Sequence, residues 1–138
     1  MNFLVEDLVN SPKVRVKNVV REGKAIFLQL GFREEEVACN HCGEKTDELN
    51  QTRTVTVRDL PISGQLVYLQ VPRRQFYCKN CQQYFTEELD FVEAGQKFTK
   101  RYEDYIYQRV MTSSVEQVKR EEDLSWHQVN RLHQRVYE

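Results

Sequence analysis

No apolar run in this 138-residue chain is longer than a few residues, so nothing in the sequence is suited to cross a membrane as a helix. The N-terminus, Met1-Asn2-Phe3-Leu4-Val5-Glu6-Asp7, has neither a basic start nor a long apolar stretch. That argues against a secretory signal and places the chain in the cytoplasm. Proline and glycine are scarce, at three and five residues, and neither occurs from Thr99 onward. No internal repeat or low-complexity segment is present. An apolar fraction of 40% with 30% charged residues fits a folded chain rather than a disordered one. The length suits one ordinary domain, or two small lobes that would gain from a metal staple.

Net charge is also small, at −1, but the charges are segregated. Residues 33–48 hold six acids and two bases, net −4. Residues 51–85 hold five bases (Arg53, Arg58, Arg73, Arg74, Lys79) and one acid, Asp59, net +4. Such a basic patch can meet phosphate whatever the total charge.

Only four cysteines occur, and all lie in two Cys-x-x-Cys pairs, Cys39/Cys42 and Cys78/Cys81. Each pair can present two sulfurs to one ion from one tight turn, and two turns complete a tetrahedral shell. Gly43 follows the first pair, where a knuckle turn favours positive φ. The 35 residues between the pairs are long enough for a hairpin, which suggests a zinc ribbon. Four sulfurs close the shell, so the expected Zn2+ is single and structural. His41, inside the first knuckle, reads as a surface residue rather than a ligand. An iron site of the same four-sulfur design, and two independent redox pairs, remain open on residues alone.

Residues 3–9 form a short apolar start. Residues 13–20 alternate as a half-buried strand does, Arg21-Glu22-Gly23-Lys24 reads as a turn, and residues 25–30 read as the partner strand. Residues 44–53 are polar and predict a loop. Residues 54–58 and 65–71 predict strands around a turn at Leu60-Pro61-Ile62-Ser63-Gly64. Pro72 predicts an edge position or a break. Beyond it, alternation puts Arg73, Gln75 and Tyr77 on one face and Arg74 and Phe76 on the other. Arg73 and Arg74 beside aromatics suit a phosphate backbone.

From Thr99, helical spacing replaces alternation. Tyr102, Ile106 and Val110 lie four apart on one face. Ser114-Val115-Glu116-Gln117 and Ser125-Trp126-His127-Gln128 both have the capping-box pattern. Two helix starts eleven residues apart make a helix-turn-helix. Val129, Leu132 and Val136 form the inward stripe of the last helix. His127, Asn130, Arg131 and Gln134 then point outward, where they can read base edges. Trp126 reads as a core anchor in preference to a backbone contact. Lys119 and Asp123 stand where such motifs usually carry a small residue and a glycine. The fold class expected is α+β, a β-rich zinc ribbon followed by a helical helix-turn-helix. Its segments are a hairpin over 1–38 packing on the ribbon, the ribbon over 39–90 and the helical part over 97–138.

The order of these pieces resembles the N-terminal part of bacterial insertion-sequence transposases of the ISL-three type. The matching residues are Cys39, Cys42 and Gly43; Arg58-Asp59-Leu60-Pro61 with Gly64; the strand 66–71; Arg73-Arg74-Gln75-Phe76-Tyr77-Cys78; Cys81; Phe85-Thr86-Glu87; and Thr99. An extra residue before Cys78 departs from the pattern and leaves the strand register there open. The resemblance implies binding to double-stranded DNA at the terminal inverted repeats of a transposon, with a homodimer left open. It also implies that cutting and joining belong to an Asp-Asp-Glu domain, of which this sequence shows no trace, so no catalysis is expected from this chain alone. The alternative is a stand-alone zinc-ribbon and helix-turn-helix repressor or antitoxin.

Overall fold

The computed structural model describes residues 11–93 and 95–135. The apolar start at 3–9 and Val136 lie outside the described residues. The fold is α+β. Strands fill the first two thirds and helices the last. In chain order they are β1 (Val14–Glu22), β2 (Ala25–Phe32), β3 (Val37–Ala38), β4 (Lys45–Thr46), β5 (Leu49–Ile62), β6 (Gln65–Cys78), β7 (Gln83–Thr86), α1 (Lys100–Thr112), α2 (Val115–Glu122) and α3 (Trp126–Arg135).

The predicted N-terminal hairpin forms, with β1 antiparallel to β2 from Val14↔Phe32 to Glu22↔Ala25. Its turn uses Gly23 at φ +57. The hairpin does more than pack on the following strands. β2 joins β6 in parallel, from Ala25↔Leu66 to Gln29↔Gln70, so one sheet runs β1-β2-β6-β5. Its buried face carries Leu28, Leu30, Val67, Leu69 and Val71, covered by Phe91 and Val92 of the segment after β7.

β6 serves two cores. Val67, Leu69 and Val71 are buried in its first half, and Phe76 and Cys78 in its second. The buried parity changes from odd to even, so opposite faces of one strand are used. Phe76 and Cys78 pack with Cys39 and Phe85 in a small separate core around the knuckles. The register at the second knuckle is Tyr77↔Tyr84 and Cys78↔Gln83.

Two expectations are corrected, and the choice left open at Pro72 is decided. Residues 44–53 are not a loop: β4 and the start of β5 lie there. Residues 49–54 are all exposed at the sheet edge, so backbone pairing to β6 holds them and no apolar alternation reveals it. Pro61 does not lie in a turn but inside β5, where the pairing register shifts between Asp59 and Ile62; the turn itself is Ser63-Gly64. Pro72 does not break β6. It pairs with Thr54 on one side, while on the other the pairing with β2 has stopped at Gln70 and that with β7 does not begin before Gln75. Its missing N–H falls where the sheet is locally an edge, as the alternative reading required.

The helices start as their sequence predicts. Thr99 caps α1 by accepting from Tyr102 N–H at 3.2 Å. Ser114 caps α2 by accepting from Gln117 N–H at 3.1 Å. The reciprocal bond of that box is missing, because the Gln117 side chain donates to Glu121 instead. Ser125 and Gln128 form both bonds, at 3.1 and 2.9 Å. Asp123 occupies the left-handed position between α2 and α3, φ 54, and donates its N–H back to Lys119 O. A carboxylate side chain thus takes the conformation a glycine adopts without steric cost. Tyr102, Ile106, Val118, Val129 and Leu132 form the helical core.

Sheet and helices are joined at Arg58 and Asp59. Arg58 N–H donates to Lys97 O at 2.8 Å, and Thr99 N–H donates to Arg58 O at 2.9 Å. The Asp59 carboxylate accepts from Thr99 Oγ1 and from Arg101 Nε, each at 2.8 Å. The Arg58 guanidinium lies over the Tyr102 ring, 4.9 Å from its centroid, and 3.7 Å from Glu122. Glu122 also accepts from the Tyr105 hydroxyl at 2.8 Å and from Arg109 at 3.0 Å. Burial pushes the Tyr102 phenol far above its ordinary pKa, so it stays a donor to Glu122.

Replacing Glu122 with Ala leaves the buried Arg58 without its counter-charge, and should cost about 3–5 kcal/mol. Replacing its exposed neighbour Glu121, which pairs with Arg109 at the surface, should cost under about 1 kcal/mol. Chemical denaturation of both variants checks the contrast; equal costs would remove Glu122 as the junction's anchor.

Candidate metal centre and nucleic-acid interface

Each Cys-x-x-Cys pair turns back on itself. Gly43 N–H donates to Cys39 O at 2.8 Å, and Gly43 has φ +81 as expected. The equivalent residue after the second pair is Gln82, which holds φ 56 without being glycine. His41 is exposed; its backbone N–H lies 3.4 Å from Cys39 Sγ, and its ring is not among the ligands.

The four sulfurs lie within 4.8 Å of one another. Close contacts run between the pairs, Cys39 to Cys81 at 3.7 Å and Cys42 to Cys78 at 3.5 Å. A tetrahedral ion with metal–sulfur bonds of ~2.3 Å requires sulfur–sulfur edges of ~3.8 Å. The geometry therefore fits one zinc ion and is far from any S–S bond length. It also pairs sulfurs across the knuckles, contrary to two independent redox pairs. Among the described residues this is the sole group of three or more His, Cys, Asp or Glu side chains close enough to share a metal.

Without metal the thiols ionise unequally. A hydrogen bond from the Asn80 side chain, then one from the Glu44 backbone, hold Cys42 down to about 7. Shielding from water, then hydrogen bonding among the other thiols, pushes Cys81 up to about 12. Zinc must displace that proton.

The basic segment separates into different environments. Arg74 is internal. It donates to both oxygens of Glu87, at 2.6 and 2.8 Å, and to Glu34 O at 2.9 Å. Its guanidinium stacks on Phe32 and Phe76. Arg58 is buried at the sheet–helix junction, and Lys79 lies 3.9 Å from Glu48. Arg53 remains exposed and Arg73 half-buried. The expectation of a five-base patch is corrected: carboxylates distant in sequence neutralise much of it. Asp59, the one acid of that segment, pairs with Arg101.

On α3, Val129 and Leu132 face the core. His127 and Gln134 are exposed on the opposite side and Asn130 is half-buried. Arg131 is exposed, but its guanidinium sits over the Phe98 ring at 5.7 Å. Trp126 is not a core anchor: it is 48% exposed and meets His127 edge-on. As the first helical residue it lies about 90° around the helix from the middle of the Val129–Leu132 stripe, at the border of the solvent-facing side.

Residues 35–81 match the family model described as the zinc-finger of transposase IS204/IS1001/IS1096/IS1165. Residues 87–137 match the helix-turn-helix domain of transposase family ISL3. The chain belongs to the ISL3 transposase family. It carries that family's zinc ribbon and DNA-binding helix-turn-helix in series, and its four cysteines form the ribbon's single structural zinc site. It is 32% identical over 110 residues to the transposase for insertion sequence element IS1001 from Bordetella parapertussis. The match covers 80% of this chain and 27% of that protein. No solved structure matches the chain. No helix among the described residues is long and apolar enough to cross a membrane.

Two consequences can be measured. Cys39→Ser should unfold the knuckle core, since structural zinc contributes about 10–16 kcal/mol of apparent binding energy in small peptides; a fully folded variant would sink the structural role. Zinc affinity should rise steadily with pH from neutral towards about 12, because binding must remove the Cys81 proton. Competition with a chromophoric chelator reads this, and a flat profile would contradict the coupling.

Proposed function

We propose that this chain binds double-stranded DNA at the terminal inverted repeats of an insertion sequence, as the recognition part of an ISL3 transposase. The observation that carries the reading is the solvent-facing side of α3, opposite Val129 and Leu132, in a chain with both family modules. A helix-turn-helix sets such a face in the major groove. Asn130 suits adenine, Arg131 suits guanine, and His127 and Gln134 flank them. Trp126, exposed at the start of α3, is suited to lie against the sugar-phosphate backbone. Arg73 contributes phosphate affinity; Arg74, bound to Glu87, acts by holding the strand rather than by touching DNA.

The recognition segments are the hairpin at 1–38, the ribbon at 39–90 and the helical part at 97–138. The ligands of the zinc ion are Cys39, Cys42, Cys78 and Cys81. Cutting and joining strands need carboxylates converging on catalytic metals, and we assign no such step to this chain. The setting is the cytoplasm, with one protomer engaging each repeat.

Fluorescence anisotropy with the flanking repeat and with a scrambled duplex tests the proposal. Asn130→Ala should cost about 1–3 kcal/mol on the repeat and little on the scrambled duplex. Equal loss on both would remove Asn130 as a base reader. Equal affinity of the parent chain for both would overturn recognition of the repeats.

A further inference from the structure

The buried face of the β5–β6 hairpin ends in an unusual step. Val57 pairs with Leu69 and Val55 with Val71, both apolar; the next pair on that face is Arg53 with Arg73. Like charges directly opposite in a sheet destabilise it. Lys97, from the segment leading into α1, meets the same place. Together the three cations line a concavity of about 500 Å3, with Val92 and Gln96 in its wall and no carboxylate among its lining residues. Arg73 Nη1 is buried and has no hydrogen-bond partner. None of the three cations forms an ion pair among the described residues. Arg73 also borders a second hollow, lined by Glu87, Glu88 and Glu93, but it forms no ion pair with them and Glu87 is already bound to Arg74.

Three cations with no acid between them, one with an unpaired buried N–H, are complementary to a phosphate dianion or diester. Arg73 supplies a planar fork, and Arg53 and Lys97 add positive charge to the same concavity. We propose that Arg53, Arg73 and Lys97 form a phosphate-binding site at the junction of ribbon and helices, which seats one backbone phosphate of the bound DNA. The identity of the phosphate donor rests on the DNA-binding reading above; the site itself does not. It would fix where the duplex passes between ribbon and helices. The junction at Arg58 and Asp59 lies five and six residues along β5 from Arg53, so the site is rigidly tied to α1.

The zinc-loaded full chain is titrated with inorganic phosphate and then with duplex DNA, following arginine Nε–H and backbone amide signals by NMR. Both ligands should shift the Arg73 Nε–H and the Gln96 and Lys97 amides. Arg53→Glu, at an exposed position, should abolish the phosphate response. It should weaken binding to every duplex alike and reduce the slope of log affinity against log salt by roughly 0.9. Arg53→Gln should give a smaller change in the same direction. DNA binding with an unchanged salt slope in Arg53→Glu and no shift at Arg73 would overturn the site while leaving DNA recognition intact. Phosphate shifts at these residues without any DNA binding would support the site and overturn the DNA source.

Discussion

Four sulfurs must meet at one point, and they come from turns separated by 35 residues. That constraint shapes the sheet. The chain leaves the first knuckle, runs out along β5 and returns along β6, each of 14 residues, to deliver Cys78. A strand of that length reaches roughly 46 Å, well beyond what a ribbon needs. The surplus length is where β2 docks. One half of β6 therefore belongs to the main sheet and the other to the metal core, with β7 taking β2's place as its neighbour. Pro72 stands between the two halves, where a missing N–H does least harm.

The second constraint is electrostatic. Arg58, Asp59 and Glu122 are all nearly buried, and each has a compensating partner from the other module. Adjacent side chains in a strand point to opposite faces, so Arg58 and Asp59 engage the helices on two lines of contact. Asp59 takes the N-cap Thr99 and Arg101, while Arg58 takes Tyr102 and Glu122. The orientation of the helix-turn-helix on the ribbon is thus specified by hydrogen bonds and charge, with Leu60 packed beside them. The ribbon and the outward face of α3 are held in one frame.

The local features were legible. Two cysteine pairs, a glycine after the first, two serine–glutamine boxes and a four-residue apolar spacing each specify structure within a few residues of themselves. The metal ligands and the outward face of α3 follow from such spacing. The arginines were not legible in this way. Arg58, Arg73 and Arg74 are alike in sequence, yet one is a buried strut, one faces an acid-free concavity and one is bound to Glu87. Their partners lie 13 or more residues away, and no periodicity carries that information. Residues 49–53 escaped for a related reason, since an exposed edge strand is held by its neighbour's backbone. Trp126 escaped because an aromatic side chain is most often buried, and only the rotation of α3 exposes it.

The sequence by itself determined which side chains can hold a metal, where each helix begins, and which residues of α3 face away from its core. Those are matters of valence, capping and helical pitch, all short-range. Tertiary structure alone decided which charges remain free, because the field at an ionised group depends on every neighbour in space. It also decided that the N-terminal hairpin extends the ribbon's own sheet, since a parallel pairing of β2 with β6 brings together residues some forty positions apart.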